Sequence, residues 1–402
     1  MTGQTASVIV VSRHRAASLR LCLLALSQQD HPSFEVIVVA DPQALAAIAD
    51  FDVKTVVFDE ANISAARNAG LAVAAGQVVA FIDDDAVAEP TWLTRLVAPF
   101  SDFGVMASAG FVRGRNGISR QWGAAWVDRF GEDHAFDLPN EGAVFDPEMN
   151  RVIKTQGTNC AFRREALLAI GGFDPAYRFY HDETDVNLRM RARTAVVPMA
   201  QVVHGYAQSE RRRADRVPMS LVEIGASCAV FMRRHAPEAD QAVQFETLRA
   251  RQAERVALHH AAGRIDVAQR DALLVGFDLG WQAGLVRPLT ALSPLRATRA
   301  PFAPQQGTGP KPGRVLAGRF WQIGSLKAKG RQAVREGAIV TILCLRWTAR
   351  PHWQRFDEDG YWIQTGGVFG RSARDGPKVR LGTLKKRLAE ECARWAEVRP
   401  LR

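Results

Sequence analysis

Two hydrophobic patterns take turns along the first hundred residues. ASVIVVS (6–12) and FEVIVVAD (34–41) are unbroken β-branched runs, the mark of strands covered on both faces. VKTVVF (53–58) is a shorter third run, and VVAFID (78–83) is a fourth. Between them, AASLRLCLLALSQQ (16–29) and SAARNAGLAVAAG (64–76) have helical spacing. Asn62 or Ser64 supplies the second helix with a cap, and Gly76 closes it. Strand–helix alternation of this kind predicts a mostly parallel sheet with helices on both faces, a Rossmann-like α/β arrangement. Ligands of such sheets bind beyond the carboxyl ends of the strands.

Further along the pattern loosens. Residues 100–155 are irregular and rich in Gly, Trp and Arg, which reads as a substrate-facing loop region or a set of short strands. Residues 159–170 read as a strand leading into a helix, GGFDP as a turn, and DETDVNLRMRA (182–192) as a helix with acids in its first turn. The expected organisation is an α/β domain over 1–210, a helical extension over 211–287 and a Pro/Gly-rich linker over 288–313. A small α+β unit over 314–402 closes the series; its role cannot be read from its residues.

Composition narrows the class. Hydrophobic residues make up 47% of the 402 and charged residues 23%, an ordinary globular balance. Cys22, Cys160, Cys228, Cys344 and Cys392 are scattered, which argues against a disulfide framework or a zinc site and fits a reducing cytoplasm. No signal peptide and no run of about 18 apolar residues is apparent. The net charge of +10 is uneven: residues 1–206 hold 18 Lys+Arg against 24 Asp+Glu, and residues 207–402 hold 34 against 18. A basic back half suits an anionic partner, such as a phosphorylated acceptor or the inner face of the cytoplasmic membrane, or is simply a solvated surface. Nucleic acid is disfavoured, because the late aromatics of HWQRFDEDGYW are interleaved with acids.

The stretch AFIDDDAV (80–87) sets three carboxylates at the end of a buried strand. Adjacent acids repel, so they persist best where a cation or hydrogen-bond donors neutralise them, and carboxylate oxygens suit Mg²⁺ or Mn²⁺. In an extended chain Asp83 and Asp85 face one side while Asp84 turns away. Asp41 ends another strand and converges on the same crevice.

Taken in order, SVIVVSRHRAASLRLCLLAL, FEVIVVADP, NISAARNAGLAVAAGQVVAFIDDDAVAEPTWL, TNCAFRREALLAIGGFDPAY and YHDETDVNLRMRARTAVVPMAQVVHG resemble the family-2 glycosyltransferases. These are inverting enzymes of the GT-A fold, and the resemblance spans roughly residues 6–205. It implies that Asp83–Asp85 form the DXD-type motif, with Asp83 at the ribose of a nucleotide-diphosphate sugar, Asp84 in the donor site and Asp85 on a divalent metal. Asp83 and His204 would share that metal. Ser12, Arg13, Asp41 and Arg67 would line the nucleotide pocket, and Gly157 and Asn159 would pass close to the donor sugar. Glu183 would be the base that activates the acceptor hydroxyl, with Asp182 the alternative, and Asp185 would serve the helix start or the acceptor. Trp122 and Trp126 would either stack on a sugar or belong to the core. Two departures stand out: Ala40 replaces a frequent acid and Pro42 a frequent Gly. The implied cofactor is Mn²⁺ or Mg²⁺, the implied donor a UDP-sugar, and the implied acceptor a hydroxyl on a glycan or lipid-linked molecule in bacterial surface polysaccharide or glycan synthesis. A non-catalytic nucleotide-sugar-binding or scaffold protein is the alternative.

Overall fold

Alternation along the strands sorts the core onto the two sides of one sheet. The computed structural model describes residues 4–205, 213, 215–297, 300–373 and 375–401. Strands β1 (Ala6–Val11), β2 (Phe34–Ala40), β3 (Lys54–Val57) and β4 (Val78–Asp83) are parallel. Val8, Val10, Ala80 and Ile82 pack toward α1 (Ala16–Leu26) and α4 (Trp92–Val97). Their neighbours Ile9, Val79 and Phe81 pack toward α3 (Ile63–Val73) and α5 (Arg164–Ala169). This is the period of two that a strand imposes on its side chains. Gly76 sits in the approach to β4, not at the helix end, which falls at Val73. A Cβ on Gly76 would stand 2.6 Å from the backbone of Ala6 and Ser7, so only glycine lets the chain pass.

The irregular region resolves into short strands. β5 (Ala86–Ala88), β6 (Ala107–Arg113), β7 (Arg120–Trp122) and β10 (Ala143–Phe145) join the main sheet, while β8 (Ala125–Asp128), β9 (Asp133–Ala135) and β11 (Arg151–Ile153) form a sheet of their own. With β12 (Cys160–Arg163) and β13 (Thr194–His204), the main sheet runs β10-β13-β6-β12-β4-β1-β2-β3. β12 is antiparallel to both neighbours, and β13 is parallel to β6. The architecture is therefore the expected mostly parallel α/β sheet flanked by helices.

The predicted boundary at 210/211 lies outside the described residues. Beyond it, α7 (Val222–His235), α8 (Gln241–Ala261) and α9 (Val267–Val286) form the helical extension. Phe231, Val230 and Phe277 bury against Tyr177, Leu188 and Val127, so the extension floors the segment containing α6 (Asp182–Met190).

The described residues between 288 and 312 include no helix or strand, and several of them are tied down along the α/β domain. Leu295 donates its amide to Leu168 O, Gln305 to Phe34 O and Ala303 to Glu35 Oε2. Glu35 is fully buried. Burial alone would raise its pKa, but Lys54 at 2.7 Å and donors from Ser7, Ala303 and Ala75 outweigh it and hold the carboxyl below its ordinary value.

The last unit differs from expectation. β14 (Gly313–Arg319), β15 (Ile339–Arg346) and β17 (Trp362–Gly367) are parallel, joined through α10 (Ile323–Arg335), and only β16 (Trp353–Phe356) is antiparallel. It is thus a small α/β layer, closed by α11 (Leu384–Ala396). It is docked on the front domain: Phe356 and Trp362 pack with Val87 and Val203, and Gln28 donates to Gly360 O. Arg399 grips Glu89 through both carboxylate oxygens at 2.6 and 2.7 Å, with both side chains fully buried. Its guanidinium lies 3.8 Å from the Trp362 ring centroid.

Removing one partner of a buried ion pair strands the other, so Arg399→Met should cost about 3–5 kcal/mol of unfolding free energy. The double variant Glu89→Met/Arg399→Met should recover much of that loss. Urea unfolding of both variants checks the pair; a single-variant loss below about 1 kcal/mol would mean the docking rests elsewhere.

Candidate active site

The sheet's alternation decides where the three carboxylates point. Asp83 falls on the side of Val79 and Phe81, and Asp84 on the side of Ala80 and Ile82. Asp83 meets Arg67, whose Nη2 lies 3.6 Å from its Oδ1. Asp84 is fully buried, accepts from Ser12 Oγ at 2.6 Å and pairs with Arg15. Burial, the largest influence, pushes Asp84 up to about 7 against the pull of Arg15. Asp84 and Ser12 therefore brace the loop from behind, and the donor-site role expected of Asp84 is corrected to that of an inward-facing anchor.

After Asp84 the chain turns, and Asp85 comes back to the crevice. His204 Nε2 stands 3.1 Å from Asp85 Oδ1, because β13 ends in antiparallel register with β5, His204 opposite Ala86. One donor atom each from Asp83, Asp85 and His204 lies within 4.8 Å of the others. Two carboxylate oxygens and an imidazole nitrogen at this spacing fit ligand distances of about 2.0–2.2 Å around one Mg²⁺ or Mn²⁺. Arg15 Nη1 is 3.6 Å from Asp85 Oδ2 and tempers the charge of the cluster. A second group, Asp128, Glu132 and His134, has similar spacing. There Asp128 Oδ1 accepts the amides of Phe130 and Glu132, so that carboxylate is committed to a turn.

Arg67 links the two acidic segments. It is buried, pairs with Asp182, donates to Gly157 O at 3.2 Å and lies over the rings of Phe81 and Phe173. Asp182 opens α6 with its carboxylate engaged by this cation. Glu183, next in the chain, has only its own amide as a recorded hydrogen-bond partner. Burial, reinforced by Asp182, raises the Glu183 carboxyl above its ordinary value. A carboxylate tied to a guanidinium is a weak base, and one desolvated beside another acid is a stronger one. The geometry thus separates the two acids, favouring Glu183 over Asp182 as the group that takes a proton.

The expected neighbours fall into different places. Asp41 accepts from the amides of His14 and Ala44, capping α2 (Pro42–Ala46). Burial would raise its pKa, but those amides more than offset this and lower it. Pro42 is the first residue of that helix, where a missing N–H costs nothing. Arg13 reaches Asp59 at 3.0 Å on the rim. Asn159 is a correction: it is fully buried, gives Nδ2 to Phe111 O and Ala200 O, and accepts from Trp92 Nε1. It stitches the break in register between β6 and β13 and does not face the crevice. Asp185 is likewise buried, held by His235 at 2.9 Å and by Arg189. Trp126 joins an aromatic cluster with Phe136 and Phe145. Trp122 is 36% exposed, with its ring 5.7 Å from that of His204.

Three contributors were not anticipated. Arg15 is one, signalled only by the basic SRHR after the first strand. The others are Tyr180 and His181, at φ 75° and 66°, left-handed values that non-glycine residues adopt rarely. They turn the chain sharply into Asp182 and Glu183. His181 is buried in stacking contact with Phe231 of α7, and that burial keeps it neutral by pushing its pKa well down. No pattern in the sequence marks this pair.

The crevice at the strand ends thus has a carboxylate–imidazole cluster on one wall and an arginine-paired acid on the other. Residues 7–171 match the profile described as Glycosyl transferase family 2. Over 113 residues it is 32% identical to the glucosyl-dolichyl phosphate glucuronosyltransferase of Haloferax volcanii, covering 28% of this chain and 34% of that protein. Over 245 residues it is 28% identical to the pre-mycofactocin glycosyltransferase of Mycobacterium tuberculosis, covering 57% of this chain and 48% of the relative. The chain thus spans between a third and a half of the length of these relatives. Among solved structures it overlaps the mannosyltransferase PcManGT from Pyrobaculum calidifontis in complex with GDP-Man and Mn²⁺. That overlap has a TM-score of 0.42 and 16% identity, covering 71% of this chain and 88% of that one. It also overlaps GalNAc-T7 with UDP, GalNAc and Mn²⁺, with a TM-score of 0.44 and 15% identity, covering 57% and 48%. Scores at this level describe partial overlap only.

Gly157 leaves room for Arg67: a Cβ there would lie 2.6 Å from Nη2. Gly157→Ala should push Arg67 off Asp182 and lower stability by about 1–3 kcal/mol, as overpacking does. Chemical denaturation reads the loss, and an unchanged midpoint would show that Arg67 yields freely.

Proposed function

We propose that the chain is a metal-dependent inverting glycosyltransferase that moves a sugar from a UDP-sugar to a hydroxyl acceptor in glycan synthesis. The observation that carries this reading is the convergence of Asp83, Asp85 and His204 within 4.8 Å at the strand ends, across Arg67 from Glu183. A bound Mn²⁺ or Mg²⁺ supplies Lewis-acid neutralisation of the leaving diphosphate. Asp85 and His204 hold that position, and Asp83 faces both it and Arg67. Glu183 accepts the acceptor hydroxyl's proton as that oxygen attacks the anomeric carbon opposite the diphosphate. One displacement of this kind inverts the centre without a covalent sugar–enzyme intermediate. Arg67 occupies Asp182 and leaves the proton transfer to its neighbour.

The donor is tested by thermal stability against UDP-, GDP-, dTDP- and CMP-sugars, each with Mn²⁺ and with chelator. A UDP-sugar should stabilise the protein only with metal, since a ligand bound by the folded state alone raises the melting temperature. Asp85→Ala should lose that response. Stabilisation by every sugar equally, or in chelator, would remove the metal-dependent UDP reading.

Glu183→Gln should abolish transfer while sparing nucleotide stabilisation. Because the folded protein favours protonated Glu183, ionising it costs stability as pH rises; the amide avoids that cost. The variant should therefore melt at or above the wild-type temperature at neutral and alkaline pH, so unfolding would not explain its inactivity. The wild-type rate should rise with pH through a limb lying above the ordinary carboxylate range. Near-normal turnover of Glu183→Gln would pass the base role to another group.

A further inference from the structure

Beside the metal cluster lies a strongly basic cleft that the transfer chemistry leaves unused. The hairpin between β6 and β7 carries it. Arg113 and Arg120 stand directly opposite each other across these strands, an arrangement that costs stability through like-charge repulsion. Neither charge is well answered. Arg113 lies over the Trp395 ring at 4.6 Å and makes no recorded ion pair among the described residues; desolvation lowers it to about 10. Arg120 lies over the Phe111 ring at 5.3 Å, and among the described residues its one ion pair is with Asp137 at 3.8 Å, a fully solvated partner worth little.

Cavities of about 560 and 500 Å³ open on the two sides of this hairpin, and both are walled by the C-terminal unit. The larger is lined by Arg113, Arg120 and Arg394, with Asp375 as its acid; the smaller is lined by Arg115, Arg120, Arg216 and Arg371 and has no acid among the described residues. The cleft also adjoins the metal cluster. Trp122, two residues after Arg120, faces His204, and Arg115 donates to the carbonyl of Gly205, the next residue after His204.

We propose that this cleft, centred on Arg113 and Arg120, binds a phosphate group carried by the acceptor substrate. The word acceptor rests on the glycosyltransferase reading; the anion site itself does not. A planar guanidinium fork suits phosphate oxygens, and several forks facing one cavity supply the charge-assisted bonds that such a group needs. The phosphate belongs either to a soluble acceptor or to a lipid headgroup, and the chemistry of capture is the same. The C-terminal unit thereby becomes the second wall of an acceptor site.

The test uses the full chain and inorganic phosphate at constant ionic strength. The melting temperature should rise saturably, and Arg120→Met, on a half-exposed side chain, should weaken the phosphate affinity about tenfold or more. Arg113→Met should do the same where it folds. The response of Arg120→Met to a UDP-sugar with Mn²⁺ should be unchanged, and Asp83→Asn should lose that response while keeping the response to phosphate. Co-sedimentation with phosphatidylglycerol vesicles, against phosphatidylcholine, separates the two sources: arginine-dependent binding to the former assigns a lipid headgroup, and a response to soluble phosphate alone assigns a soluble acceptor. No response to phosphate or vesicles, or a phosphate response kept by both arginine variants, overturns the site. Loss of the nucleotide response in Arg120→Met would also overturn it, by giving the arginines to the donor. If the wild type answers phosphate through these arginines but no nucleotide sugar with metal, the donor reading fails and the anion site stands.

Discussion

Three adjacent carboxylates can close β4 because each is met by its own set of partners. Asp83 faces Arg67, Asp84 is sunk against Arg15 and Ser12, and Asp85 faces His204 with Arg15 behind it. The partners come from α3, from the loop after β1 and from the end of β13, so neutralising one tripeptide requires the sheet to be assembled across most of its width. The pleat does the sorting. Once Phe81 and Ile82 commit to opposite layers of core, the directions of Asp83 and Asp84 follow. What is left facing the crevice is a cluster whose residual negative charge suits a divalent ion.

Arg67 performs the corresponding service between segments. It is enclosed by Phe81 and Phe173 and bonded to Asp182, with Asp83 within its field. One side chain thus fixes the distance between the strand-end wall of the crevice and the wall formed by α6. The same bond distinguishes two neighbouring acids that a sequence lists as equals, leaving Glu183 as the one whose carboxyl burial and Asp182 hold above its ordinary value.

The front of the molecule was legible because its signals are periodic. Unbroken β-branched runs marked β1, β2 and β4, and the position of Asp83–Asp85 at a strand end followed from them. Alternation also foretold that Asp84 would turn from Asp83. It could not foretell that Asn159 would be spent on Trp92 and two carbonyls, because that need arises from a register break between β6 and β13, which are far apart in sequence. Tyr180 and His181 were illegible for a related reason: their left-handed backbone is imposed by packing on Phe231 of α7. At the back, β14 and α10 were missed because GRVLAGR and IGSLKAKGRQAVR carry glycines and charges that blur both periods. The basic surplus of that half was plain in composition, whereas the placing of Arg216, Arg371 and Arg394 around one hairpin depends on docking.

The grip of Arg399 on Glu89 has a bearing on synthesis. Glu89 follows directly on β5, the strand that pairs with the end of β13 and so sets His204 beside Asp85. Val87 and Val203, on those same two strands, are covered by Phe356 and Trp362. Domains condense from the N-terminal side as a chain emerges, at about 5–20 residues per second. The front sheet can therefore gather early, but the strand pair that sets His204 beside Asp85 stays uncovered, with Glu89 unanswered, until residue 399 has emerged. The juxtaposition of Asp85 and His204 in this sense waits on the C-terminal unit.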